Sequence, residues 1–140
     1  MDAASTTLDS RTRSLVNWTT AIYALHAFSL ITGIVTTATV VGAFLTGWPS
    51  ILAVILNYVK RGEAQGTWLD SHFRWQIRSF WIALIAIVIL RLVFIPLSWF
   101  LIGIPFLWLG HGLLGIWAIY RVARGWLALR EGRILPSGGL

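Results

Sequence analysis

The chain has 140 residues, 57% of them hydrophobic and 11% charged, with a net charge of +6 and a mean hydropathy of +0.77. An average soluble domain carries about 25% charged residues, so the composition excludes an ordinary soluble domain. The absence of cysteine excludes disulfides and thiolate metal sites. The basic residues flank apolar segments and do not form one basic face, so nucleic acid is not an expected partner.

The charges fall in three short clusters, and Arg91 is the one exception. No Asp, Glu, Lys or Arg occurs between Thr19 and Tyr58, and Arg91 is the single charge between Ser79 and Tyr120. A bilayer core is about 30 Å thick and needs about 20 apolar helical residues for each crossing. Each of the two apolar blocks is therefore long enough for two crossings.

The first half of the chain predicts a polar N-terminal tail, residues 1–15, followed by two helices. The apolar block that follows is too long for a single crossing, and Gly47–Pro49 supplies a break because proline disfavours helix at the preceding residue. We expect a long first helix near Trp18–Leu45 and a second near Pro49–Tyr58, short for a full crossing. No signal-peptide cleavage site is recognisable, so the first span is expected to remain in the mature protein.

The second half predicts an aqueous linker, Lys60–Gly66, and a third helix from about Thr67. The residues as far as Arg78 form an amphipathic segment that we expect to lie in the membrane interface, and the chain turns inward at about Ser79. The fourth helix is predicted near Pro105–Leu129.

Together these elements predict an all-α integral membrane helical bundle. It has four membrane helices, the second one short, and the interfacial amphipathic segment precedes the third. Residues 16–130 form the single transmembrane domain, and residues 131–140 form a short C-terminal tail. Since basic residues favour the cytoplasmic side, both termini are expected to be cytoplasmic, in a multi-pass protein of the bacterial inner membrane.

The stretch Gly66–Leu84, GTWLDSHFRWQIRSFWIAL, resembles a family of small, uncharacterised proteobacterial transmembrane proteins. LNYVKR at Leu56–Arg61 and YRVARGW at Tyr120–Trp126 match the same family. The helix layout and the His72–Gln76 pair are distantly similar to the Tic-twenty-like proteins, which include a chloroplast inner-envelope import component. The resemblance implies a membrane-spanning helical fold and implies no reaction.

A stripe on the third helix is the best-defined candidate surface. Its cationic and acidic members recur at four-residue steps, so they share one helix face. It is expected either to anchor the protein to anionic lipid headgroups, each cation contributing about 1 kcal/mol, or to dock a partner protein. The candidate contact residues of this surface are Asp70, His72, Arg74, Trp75, Gln76 and Arg78.

His26 and His111 are the candidate haem ligands, because paired histidines on membrane helices can bind haem iron axially. Counted from opposite faces of the bilayer, they fall at similar mid-membrane depths. The alternative is that each histidine is hydrogen-bonded to a neighbouring helix, as intramembrane polar groups usually are. Because no metal-binding motif accompanies them, neither a cofactor nor a metal is expected.

Arg91 lies among apolar residues, where a charge costs about 2.5–3.5 kcal/mol on insertion scales. Pro96 marks the predicted end of its helix, so Arg91 is close enough to extend to the outer phosphates. The alternative is contact with an acidic group of a partner.

These features favour some classes of function over others. The sequence shows no membrane-embedded carboxylate and no nucleophile–base arrangement, so an enzyme is not expected. The favoured prediction is a scaffold or accessory subunit of a larger inner-membrane assembly, with a membrane-protein partner or a homo-oligomeric state. The alternatives are an oligomeric transporter or channel for small solutes or ions, and a haem-binding electron carrier.

Overall fold

The computed structural model describes residues 3–36 and 40–136, with side chains described for residues 9–33 and 47–136. It is all-α over this range, and its four helices are joined by short connections. They are α1 (Ala3–Thr36), α2 (Val40–Ala64), α3 (Asp70–Ser98) and α4 (Gly103–Arg130).

The boundary between the first two helices differs from the prediction. The prediction of a break at Gly47–Pro49 is wrong, because α2 runs through Pro49 and has 25 residues. Proline in a helix interior removes one backbone hydrogen bond, and here the flanking turns remain helical. The first helix already starts at Ala3, so the described part of the N-terminal tail is helical. The second helix is therefore not short.

The second half of the chain forms a helical hairpin. The predicted separate interfacial segment is the start of α3, which continues without interruption through Ser79 to Ser98. The turn after α3 contains Leu101 with φ of 62°, the one non-glycine residue with positive φ in the described chain. Pro105 lies in the first turn of α4. Backbone N–H groups in this turn have no acceptor within the helix, so the N–H that proline lacks costs no helical hydrogen bond.

The helices pack as two hairpins, α1 on α2 and α3 on α4, with further contacts between α1 and α4 and between α2 and α3. The fully buried side chains concentrate at one end, which we call the base; it contains residues 15–23, 60–79 and 121–136. Its apolar core includes Leu15, Ile22, Leu69, Phe73 and Leu129. The opposite half of the α3–α4 hairpin is the far end.

Among the described residues, α3 and α4 are the helices long and apolar enough to cross a membrane. The most apolar stretch of α3 has no buried residue, and that of α4 has almost none. A core helix of a soluble protein would instead be buried on its apolar side. By length and composition, the structure supports two of the four predicted crossings.

Candidate functional site

His72 lies at the centre of the base and is completely buried. Its Nε2 lies 2.8 Å from the backbone carbonyl of Arg133, and its Nδ1 lies 3.2 Å from the hydroxyl of Tyr23. Because a carbonyl can only accept, Nε2 carries the proton. A fully buried site favours the neutral ring, so Nδ1 accepts from Tyr23. His72 thus links α1, α3 and the segment after α4.

The segment that follows α4 is also tied to the start of α3. The backbone N–H of Leu135 donates to Oγ of Ser71 at 3.1 Å, and the Ser71 hydroxyl donates to the carbonyl of Trp68 at 2.8 Å. Leu135 is buried and packs with Trp75 and Ala128. The described residues 131–136 therefore close the base.

Arg121 has its guanidinium inside the protein, with 1% of the residue exposed. The guanidinium carbon lies 3.4 Å from the centre of the Trp75 ring, as in a cation–π contact. Its Nε donates to Oγ of Ser79 at 3.0 Å, while the indole N–H of Trp75 donates to the Arg121 carbonyl at 3.2 Å. Trp75 and Arg121 thus join α3 to α4 by two separate contacts.

Gln76 completes the connection of α3 to α1. Its amide nitrogen donates to the Thr19 carbonyl at 3.3 Å. Because that carbonyl can only accept, the contact fixes which end of the amide is nitrogen, and it turns Oε1 away from Thr19. Oε1 is buried and makes no hydrogen bond to the described residues.

Behind these side chains, a cavity of about 90 Å³ lies between all four helices. We call it the polar cavity. Its polar wall contains Tyr23, His26, Ser50, Gln76, Ser79 and Arg121, and the remaining wall is apolar.

A second concavity of about 260 Å³ lies on the outside of the base. We call it the arginine groove, because Arg61 from α2 lines it together with Arg74 and Arg78 from α3. Leu135 and Pro136 form the other wall, and Trp75 lines both the groove and the polar cavity. Asp70 forms an ion pair with Arg74 at 2.7 Å at the helix surface.

The predicted stripe on α3 therefore divides into two groups. Arg74 and Arg78 are exposed and Asp70 is half-buried, so these three lie on the outer face. His72, Trp75 and Gln76 are buried and bind other parts of the same chain. The sequence indicated the motif but could not show which of its polar residues point inward.

The structure does not bring His26 and His111 together. His26 lies beside Phe80 and its Nδ1 is 3.3 Å from Oγ of Ser50, whereas His111 bonds the Leu107 carbonyl of its own helix. Gly110, next to His111, packs against Leu90. Leu90 is ten residues beyond Phe80 on α3, or about 15 Å along the helix axis. The two histidines are too far apart to share one haem iron.

Arg91 is exposed on α3 and makes no hydrogen bond or ion pair with the described part of the chain. Among the described residues, no group of three His, Cys, Asp or Glu side chains is arranged to hold a metal ion.

Sequence reasoning missed several residues of the site, chiefly Tyr23, Ser50, Ser79 and Arg121. In the sequence, Arg121 is the first of the basic residues that follow the last apolar block. Its distinguishing signal is its position: it lies nine residues before the end of α4, too far from the end to be a terminal charge.

The fold and the site define a class, an all-α protein with a hydrogen-bonded base and an exposed apolar hairpin. No family model, curated protein or solved structure matches the chain. The resemblance of Gly66–Leu84 to a family of small transmembrane proteins therefore stays a prediction.

Proposed function

We propose that the protein is a non-enzymatic, four-span protein of the bacterial inner membrane that serves as a scaffold or accessory subunit of a larger assembly. In this proposal both termini and the base face the cytoplasm, and α1 and α2 cross the membrane together with α3 and α4.

The apolar surface of α3 and α4 carries this proposal. Leu92, Trp99, Phe100 and Trp108 are between 69% and 89% exposed. A surface of this kind is stable in lipid or against another membrane protein, and in water it would lead to aggregation. The clustering of charges at the base supports the orientation, since basic residues favour the cytoplasmic side.

The base supports a scaffold role in preference to catalysis. His72, Trp75 and Gln76 each bond another segment of this chain, so their visible role is to hold the helices and residues 131–136 together. The exposed features left for an outside partner are the arginine groove, the apolar hairpin and Arg91. Anionic headgroups suit the groove, and an acidic group within a partner's membrane span suits Arg91.

The test is native mass spectrometry of the full chain, extracted from its own membrane in mild detergent. We expect a stoichiometric protein partner. Arg91→Leu should lower the amount of partner recovered, while Arg91→Lys, which keeps the charge, should retain it. Recovery of the chain alone, or as a homo-oligomer, would contradict the accessory role.

The polar cavity favours a second candidate, transport of a small solute by an oligomer. Transporter sites are formed by polar groups that converge between membrane helices, and this cavity receives a polar side chain from each of the four helices. Solute flux into liposomes that requires His26 and does not require His111 would support it. Liposomes that take up no solute would leave the scaffold role as the better account.

A further inference from the structure

The polar cavity has the chemistry of a ligand site. Small-molecule sites are mostly apolar, with a few polar groups that fix the ligand's orientation. In this cavity Leu30, Phe80 and Ala83 supply apolar wall, and the polar groups lie on the other sides. Its volume of about 90 Å³ is less than the roughly 150 Å³ of a cavity that accepts benzene, so only a molecule smaller than benzene fits.

Two buried polar atoms in the wall make no hydrogen bond to the described residues. They are Nε2 of His26, in a residue 9% exposed, and Oε1 of Gln76, in a residue 2% exposed. Leaving a buried polar group unsatisfied costs about 1–3 kcal/mol, so a ligand that bonds both atoms gains from them. Gln76 presents an acceptor, because its amide nitrogen is held by Thr19.

His26 presents a donor when the Ser50 hydroxyl donates to Nδ1, because the proton of the neutral ring is then on Nε2. The charge on the cavity wall is positive. Arg121 lines the cavity, and Arg78 and Arg124 lie close enough to Arg121 to act electrostatically on its guanidinium. The ligand that matches is an anion with acceptor oxygens for Arg121 and His26 and one hydroxyl donor for Gln76.

We propose that the polar cavity binds a small 2-hydroxycarboxylate of the size of glycolate or lactate. The carboxylate lies against Arg121 and His26, and the hydroxyl donates to Oε1 of Gln76. The methyl group of lactate lies against the apolar wall. This inference goes beyond the scaffold role and does not depend on it.

The experiment measures radiolabelled lactate binding to the full-length protein in phosphatidylcholine nanodiscs. We expect saturable binding. Propionate, which lacks the hydroxyl, should compete about tenfold more weakly, because it leaves Gln76 unsatisfied. Gln76→Met should remove this preference, since it removes the acceptor.

The variant pair His26→Asn and His111→Asn tests the site directly. His26→Asn should weaken lactate binding at least about tenfold, because a bond to a charged group is lost. His111→Asn should bind like the wild type, since His111 does not line the cavity. Size-exclusion profiles and thermal unfolding of each variant show whether the fold is kept. If His26→Asn does not fold, the comparison of lactate with propionate on the wild-type protein still tests the proposal.

Three results would overturn the proposal: no saturable lactate binding to the wild type, equal competition by propionate and lactate, or wild-type binding by folded His26→Asn. A phosphatidylserine nanodisc separates a free solute from a lipid carboxylate. Unchanged lactate affinity there supports a free solute, and loss of lactate binding would assign the site to the lipid headgroup instead.

Discussion

The base and the far end of the molecule are held together in different ways. At the base, His72, Trp75, Gln76 and Arg121 form hydrogen bonds between segments that are distant in sequence. At the far end, α3 and α4 are held by apolar contacts, such as the stacked rings of Phe94 and Phe106, and by a close approach at Gly103. The base therefore specifies one arrangement through directional bonds, whereas the far end depends on shape.

Gly103→Ala should have the largest effect on stability. A Cβ at this position would overlap the backbone at Phe94 and Ser98 and lie 2.7 Å from the Leu97 carbonyl carbon. Backbone atoms cannot move aside as a side chain can, so we expect about 3 kcal/mol of destabilisation. Thermal unfolding in detergent measures it. Gly112→Ala is the control, because a Cβ there meets nothing within 4 Å, and it should be neutral or stabilising by about 0.5–1 kcal/mol.

Gly125→Ala is the corresponding change at the base and should have a smaller effect. The new Cβ would overlap the ring of Tyr23, with Cε1 at 2.6 Å and Cζ at 2.7 Å. A side chain can move, so we expect a cost of about 1–2 kcal/mol together with loss of the Tyr23–His72 bond. Gly115→Ala on the same helix is the control. If Gly125→Ala costs as much as Gly103→Ala, the distinction between the two ends fails.

Ser71→Ala should loosen residues 131–136 with a loss of about 1 kcal/mol, because the Leu135 amide loses its acceptor. Hydrogen exchange at the Leu135 amide should become faster while exchange in α3 and α4 stays unchanged. Ser98→Ala removes a bond within a single helix, to the Phe94 carbonyl, and serves as the control. Equal exchange at Leu135 in Ser71→Ala and the wild type would show that this bond does not hold the segment.

Replacing Arg61, Arg74 and Arg78 with Gln should leave the stability nearly unchanged, the smallest effect of the series. The same triple variant should retain less phosphatidylglycerol during purification, since each cation near the surface contributes about 1 kcal/mol toward anionic lipid. The control replaces Arg11, Arg13 and Arg130, which are also exposed but lie outside the arginine groove. Equal lipid loss in both triple variants would show that the arginine groove attracts lipid only through its general surface charge.

The sequence predicted some of these features for clear physical reasons. The charge-free blocks and the turn residues predict the two ends of α4 to within two residues of where they are observed. The four-residue spacing predicts that Asp70, Arg74 and Arg78 share one helix face, and they lie together on the outer face. Such patterns are local, so a single chain reveals them.

The remaining features depend on contacts between helices. Pro49 predicts a break by the local rule for proline, but α2 continues through it. The inward direction of His72 and Gln76 is set by Tyr23, Thr19 and the segment after α4. The position of Arg121, nine residues before the end of α4, sets it apart from a terminal charge, but its contact residues Trp75 and Ser79 lie on α3 and only the fold brings them to it. No local spacing encodes these pairings, so they could not be predicted from the sequence.

In the proposed topology, the base and the far end lie on opposite sides of a membrane. The chain contains no cysteine, so single-cysteine variants can be labelled with a membrane-impermeant maleimide without background. We expect Phe100→Cys to react in intact spheroplasts, and Gln65→Cys and Gly132→Cys to react only after lysis. Labelling of Gln65→Cys or Gly132→Cys in intact spheroplasts, or of Phe100→Cys only after lysis, would contradict the account.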